Sequence, residues 1–282
     1  MTNQEKKQLA IAACQIRMGI IESTHGAKAG HPGGSLSAAE MFAYLYNREL
    51  RIDPKQPKME SRDRFVLSKG HTCPALYAAL AMRGFFPESA LAGFRKPGSF
   101  LQGHPDMNAT PGVDMSTGSL GQGFSAANGM ALAGKRRNGG YRVYSILGDG
   151  ELQEGQVWEA AMFAAHYGLS NHTAFVDFNH LQIDGDVREV MNPLPIDEKF
   201  AAFGWHVQTI DGHDFEQIEN AVLRAERDER PSVVICQTVK GKGVSYMENA
   251  AEWHGKAPDE ALYETARREL YDAYLRAKEA RA

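Results

Sequence analysis

The second half of this 282-residue chain alternates short apolar runs with helical stretches, and that rhythm restricts the fold more than any other feature. Residues 142–147 read as a strand that ends at Gly148-Asp149-Gly150, and a helix is predicted from 151 to about 166. Residues 173–177 form the next strand. A helix near 197–203 leads to a strand at 206–210, a helix at 214–227, a strand at 233–238 and a closing amphipathic helix at 259–282. Strands alternating with helices of about 10–15 residues imply βαβ units and a parallel sheet covered on both faces. The expected class is α/β, a doubly wound and mostly parallel sheet with helices on both faces. No internal repeat or low-complexity linker breaks the pattern, so one domain over 1–282 is expected.

The first half is less regular. Residues 6–25 carry apolar positions at roughly helical recurrence, a Gly-His-Pro-Gly-Gly turn follows at 30–34, and Ser37-Ala-Ala-Glu40 reads as a capping box opening a helix. Residues 64–68 form a short strand broken by Lys69-Gly70-His71. The Gly- and Pro-rich stretch 98–118 reads as a long loop of the functional kind. Hydrophobic residues at 43% and charged residues at 23% are the balance of a soluble globular protein. The 31 basic and 35 acidic residues are interspersed and sum to −4, which leaves no basic patch for nucleic acid. Three scattered cysteines argue against a disulfide framework and fit a reducing cytosol. The polar start leads into no signal core, and no apolar run approaches the roughly 18 residues that span a bilayer. A cytoplasmic protein without membrane contact is expected.

In doubly wound sheets ligands sit beyond the carboxyl ends of the strands, so the turns after Ser68, Leu147, Asp177 and Thr238 are the places to search. Gly148-Asp149-Gly150 allows close backbone approach, and it places a carboxylate at a helix N-terminus that already favours anions. A carboxylate and an anionic ligand there repel unless a cation stands between them, and magnesium takes such oxygen ligands together with phosphates. Asn179 follows the next strand, about thirty residues on, where adjacent strands let it meet Asp149. Singly, Gly-Asp-Gly is a plain turn and an Asn after a strand is a loop cap. Together, at this spacing, the metal reading prevails.

With these residues in view, the sequence resembles the thiamine-diphosphate enzymes, and within them the N-terminal, diphosphate-binding half of transketolase. The resemblance runs from about residue 29 to 256. It rests on Gly30-His31-Pro32-Gly33, Ser68-Lys69-Gly70-His71, Gly103-His104-Pro105, Thr117-Gly118-Ser119-Leu120-Gly121-Gln122-Gly123, Gly148-Asp149-Gly150, Asn179 and His254-Gly255. The resemblance implies thiamine diphosphate and Mg2+, with Ca2+ or Mn2+ able to substitute. Asp149, Asn179 and the carbonyl of Leu181 would be the metal ligands. Gly150, His71 and His254 would contact the diphosphate, and Gly118, Ser119 and Leu120 would lie along the cofactor. His31, His104 and His254 would line a substrate channel, where imidazoles with pKa near neutrality orient sugar hydroxyls and move protons. His166, His172, His206 and His213 read as surface or capping residues. Ser119 stands where the transketolase pattern usually has Pro, a change that alters local rigidity. Glu154 and Glu159 have two readings, helix-surface solubility or a carboxylate contact across a dimer interface.

The resemblance also implies what is absent. In transketolases a second domain supplies a glutamate and aromatic residues to the pyrimidine ring, and arginines to substrate phosphate. A partner chain, the C-terminal pyrimidine-binding subunit, is therefore expected in an α2β2 assembly that moves a two-carbon ketol unit from a ketose or ketose phosphate to an aldose. Other subunits of the superfamily (deoxyxylulose-phosphate synthase-like or 2-oxo acid dehydrogenase-like) are alternatives, as is a catalytically silent cofactor-binding scaffold. The Gly-His-Pro-Gly and Leu-Gly-Gln-Gly stretches favour transketolase, and the intact histidine set argues against the scaffold.

Overall fold

The computed structural model describes residues 1–280. Its strands are β1 (Arg64–Leu67), β2 (Val143–Gly148), β3 (His172–Phe178), β4 (Leu181–Gln182), β5 (Gly185–Asp186), β6 (His206–Asp211) and β7 (Ser232–Gln237). The helices are α1 (Asn3–Ala27), α2 (Pro32–Leu36), α3 (Ala39–Tyr44), α4 (Cys73–Met82), α5 (Gln122–Arg136), α6 (Gly155–His166), α7 (Val187–Val190), α8 (Ile196–Ala202), α9 (Phe215–Arg227) and α10 (Glu260–Glu279). Five strands pair in parallel in the order β1-β2-β3-β7-β6, while β4 and β5 form a small antiparallel hairpin.

Side chains alternate across the pleat, so each buried strand feeds two cores. Phe65, Tyr144, Phe175 and Val234 point into one core, with α1, α3, α4 and α9. Val66, Val143, Val176 and Ile235 point into the other, with α5, α6 and α8. The sheet is therefore doubly wound, as its sequence rhythm predicts. The chain steps from β1 through β2 to β3, crosses to the edge at β6, and returns to insert β7 between β3 and β6. The carboxyl ends of β2, β3 and β7 thus stand side by side around the point where the strand order reverses.

Helix starts follow the capping chemistry in some places and not in others. Asp214 caps α9 by accepting from the backbone N–H of Glu216, and Asp259 caps α10 by accepting from that of Leu262. The capping box expected at Ser37 and Glu40 does not form: α3 starts after Ala38 with no side-chain cap. Ser37 instead donates to the Asp177 carboxylate at 2.5 Å, and Glu40 pairs with Arg17 at 2.7 Å. Tertiary partners outcompete the local cap because both side chains are buried. The turn expected at 30–34 continues into α2, and α4 and α5 are helices that the irregular first-half sequence did not disclose. The helix expected from 151 is divided, with a 3-10 turn at Gly150–Gln153 before α6. The closing helix ends at Glu279, and the last two positions of its expected span lie outside the described residues.

Two histidines expected at the surface or in caps are structural. His213 bridges Glu40 and the Val239 backbone. His172 is fully buried in β3, with Nε2 2.9 Å from Ser145 Oγ and Nδ1 2.8 Å from Asn128 Oδ1. Burial pushes its pKa down to about 3, so the ring is neutral in the fold. A depressed folded pKa gives stability that is present above the unfolded value and is lost as pH falls. His172→Ala should therefore cost about 3 kcal/mol at neutral pH, through the cavity and two orphaned partners. In urea titrations that deficit should narrow from pH 7 toward pH 4.

Candidate active site

The site is built on the turn after each of four parallel strands. At the end of β2, Asp149 accepts from the Gly150 N–H at 2.8 Å and from the His180 N–H at 2.7 Å. The second bond fastens the turn after β3 to the turn after β2, so Asp149 and the Asn179 segment come together as their spacing predicts. His180 holds φ of +68° to make this turn, and its ring is fixed against Gln237 at 3.0 Å. Asn179 donates to Asp177 at 3.0 Å, and its Oδ1 accepts from the Leu181 N–H at 3.1 Å.

Beneath these groups lies Asp177, fully buried at the end of β3. It accepts from Ser37 at 2.5 Å, from Lys69 Nζ at 2.5 Å, from Asn179 and from Thr238. Burial pushes its pKa up, but the Lys69 ammonium and the hydroxyl donors outweigh that and hold it below the usual carboxylate range. Asp149 goes the other way. Burial first, then the Asp177 charge, raise its pKa to about 7. Asp149 is thus a buried carboxylate that accepts two backbone N–H groups, and among the described residues no cation is bonded to it.

A cavity of about 420 Å3 opens above these turns, lined by Asp149, Gly150, Asn179, Leu181, His71 and His254 among the expected residues. Gly118 and Leu120 also line it. Ser119 and His104 face an adjoining cavity, with Gly118 shared between the two. His31 borders neither, but its ring centroid lies 5.0 Å from that of His71 and 5.4 Å from that of His254. Glu154 stands on the lip of the first cavity, and Glu159 is exposed on α6.

Glycines permit this close assembly. A Cβ on Gly70 would lie 2.6 Å from Thr117 Oγ1 and 2.9 Å from the Gly118 nitrogen, so the two loops touch only because residue 70 has no side chain. A Cβ on Gly33 would lie 2.8 Å from the Trp253 carbonyl.

The histidines differ from expectation in one physical respect. Burial, reinforced by neighbouring cations and rings, pushes His31 down to about 4, His254 to about 3, and His71 well below the usual imidazole range. His104 is lowered too, by burial and then by Arg95. His31, His71 and His254 are therefore neutral at pH 7, rather than poised near it, and His104 is shifted toward the neutral form. His254 Nδ1 accepts from Lys240 Nζ at 3.1 Å, which leaves its proton on Nε2.

Lys240 escaped sequence reasoning, as did Lys69. Lys240 follows β7, is buried, and donates to the Leu181 carbonyl at 2.9 Å. Burial lowers its pKa to about 8. The signal was present, because a lysine between strand-end turns and glycines marks both residues. Its backbone is anchored by the Gly241 N–H on the Gly33 carbonyl, and by Val239 N–H on His213, whose Nδ1–H donates to Glu40.

The donor set suits a divalent cation with phosphate. Asp149 offers a carboxylate, Asn179 an amide oxygen and Leu181 a carbonyl with a second lone pair, which leaves positions for phosphate oxygens and water. Among the described residues no group of three or more His, Cys, Asp or Glu gathers as a self-sufficient metal site. Gln182, which lines the cavity, has a buried Nε2 with no partner among the described residues. The residues fit a metal–diphosphate group.

Fold and site together define an α/β protein with a polar pocket at the carboxyl ends of a parallel sheet. Residues 7–273 match the family described as transketolase, thiamine diphosphate binding domain. The chain is 48% identical over 270 residues to a 6-deoxy-6-sulfo-D-fructose transketolase subunit of Clostridium sp. (strain MSTE9), covering 95% of this chain and 98% of that protein. It is 41% identical to an apulose-4-phosphate transketolase subunit of Phocaeicola vulgatus, covering 90% of each. The crystal structure of Campylobacter jejuni transketolase superposes with a TM-score of 0.87 at 30% identity, covering 98% of this chain and 46% of that one. The chain belongs to the transketolase family, and it is a transketolase subunit carrying the thiamine diphosphate binding domain. Among its described residues no helix is long and apolar enough to cross a membrane.

A cation binding at Asp149, whose folded pKa is raised to about 7, would have to displace its proton. Affinity for the metal should therefore fall as pH drops below 7 and level off above it. Mg2+ with inorganic diphosphate should raise the thermal midpoint of the chain more at pH 8 than at pH 6. Thermal scans of Asp149→Ala should show no metal-dependent rise at either pH.

Proposed function

We propose that this chain anchors the diphosphate and Mg2+ of thiamine diphosphate, and that with a separate pyrimidine-binding subunit it transfers a two-carbon ketol unit from a ketose to an aldose. The observation that carries this is the buried Asp149 carboxylate. It faces Asn179, the Leu181 carbonyl and Lys240 in one cavity, at the strand ends of a transketolase domain. Two relatives covered over 90% or more of their length are named transketolase subunits, which supports a division of the enzyme between chains. We read residues 1–282 as a single diphosphate-binding domain, in an α2β2 assembly in the cytoplasm.

When bound, the cofactor supplies a nucleophilic thiazolium carbon that cleaves and forms the carbon–carbon bond. The chain's own residues bind and orient. Asp149, Asn179 and Leu181 hold the metal. Lys240 and the Nε2–H of His254 offer positive charge and a donor to diphosphate oxygens, and His71 and Gly150 complete that cradle. Gly118, Ser119 and Leu120 wall the cofactor. Neutral His31 and His104 hydrogen-bond sugar hydroxyls, His254 lines the channel beside His31, and a neutral imidazole accepts a proton on one nitrogen while giving one from the other.

The relatives' names both include a ketose with an anionic end, a sulfonate in one and a phosphate in the other. A ketose phosphate or sulfonate is accordingly the donor class we infer.

The division of labour among histidines is testable. At saturating cofactor, His104→Ala and His31→Ala should lower kcat/KM for the ketose by about 100-fold, a loss typical of removing one proton-moving or orienting group. His71→Ala should instead weaken cofactor affinity. Rescue of all three by excess cofactor would refute the assignment. The assembly itself is tested by assaying ketose cleavage with this chain alone, with the candidate partner alone, and with the mixture. Activity is expected only in the mixture, and full activity from this chain alone would overturn the two-subunit reading.

A further inference from the structure

Glu151 lies two positions beyond Asp149, in the 3-10 turn that precedes α6, and it is 2% exposed. Among the described residues no cation is bonded to it. Its Oε1 accepts from Ser68 Oγ at 2.5 Å and from the Gly121 N–H at 2.8 Å, and its Oε2 accepts from the Gly148 N–H at 3.0 Å. The three donors belong to three different walls of the cavity. Ser68 begins the turn that carries Lys69 and His71. Gly121 closes the turn that carries Gly118 and Leu120. Gly148 holds the backbone from which Asp149 projects.

Nothing about packing asks for a charge in this place. A buried carboxylate without a cation costs stability, and a neutral side chain of the same volume would fill the space at lower cost. What a carboxylate alone provides is acceptor capacity with no donor. All three partners are committed donors, because the Ser68 oxygen itself accepts from the Phe124 N–H at 2.9 Å and turns its proton to Glu151. We propose that Glu151 is a positioning residue that clamps the two cofactor-facing turns and the metal-binding turn into one register, so that the diphosphate meets all three at once. This rests on the reading that the cavity takes thiamine diphosphate.

Glu151→Gln separates clamping from packing. The amide keeps the volume and removes the charge, but it has one acceptor oxygen and an NH2. With Oε1 serving Ser68 and Gly121, the NH2 faces the Gly148 N–H, donor against donor, and the turn bearing Asp149 must shift. The experiment is calorimetric titration of the full chain, wild type and variants, with Mg2+–thiamine diphosphate and separately with Mg2+–inorganic diphosphate. Inorganic diphosphate needs only the anchor that this chain supplies. Thermal midpoints are recorded on the same samples. In Glu151→Gln both ligands should bind at least fivefold more weakly, while the midpoint stays level or rises. Glu151→Ala, which also leaves a cavity, should lose both affinity and midpoint. A Glu151→Gln loss below fivefold overturns the clamp, and so does an affinity loss that merely follows a falling midpoint. A wild-type chain that binds neither ligand, alone or mixed with the partner subunit, refutes the cofactor reading itself, before any variant is compared.

Discussion

The Asp177 carboxylate is the interaction on which the rest of the site depends. It is fully buried at the end of the central strand, and Ser37, Lys69, Asn179 and Thr238 all point their donors at it. Those donors come from the segment before α3 and from the turns after β1, β3 and β7. A buried charge persists only when it is paired and hydrogen-bonded, and here that requirement draws four distant pieces of chain to one point. With the turns so gathered, residues from four strand ends line one cavity. The Asp177 charge also helps raise the pKa of Asp149. The group that organises the turns thus gives its neighbour a reason to hold a cation.

Much of the fold was legible because strand alternation and helix length are local properties. Residues 206–210 and 214–227 appear in the structure almost as read, since Asp214 is both a residue type that caps helices and the cap observed. The first half was harder. The core around α4 is made by Leu76, Tyr77 and Leu80 with several alanines, buried on all sides, and such a helix shows no polar face to give periodicity away. Ser37 and Glu40 have the letters of a cap, but a carboxylate 140 residues later and an arginine 23 residues earlier bind them instead. No window of local sequence contains those partners.

The candidate site divides in the same way. Asp149, Asn179 and the glycine-marked histidines announce themselves, because turns at strand ends select unusual residues. Lys69, Lys240 and Glu151 did not, since a lysine or a glutamate in a polar turn looks solvated until burial is known. All three are among the most buried charged residues of the chain. Burial likewise changes the chemistry of the histidines. An imidazole titrates near neutrality only while water can reach it, and His31, His71 and His254 lie where desolvation favours the uncharged ring.

The spacing of those three rings has a consequence of its own. With centroids 5.0 to 5.4 Å apart, and Lys69 and Lys240 close by, a positive charge on one imidazole makes a second one on either neighbour much more costly. The three rings therefore titrate as one coupled set, in which a first proton opposes a second and all three stay uncharged at neutral pH.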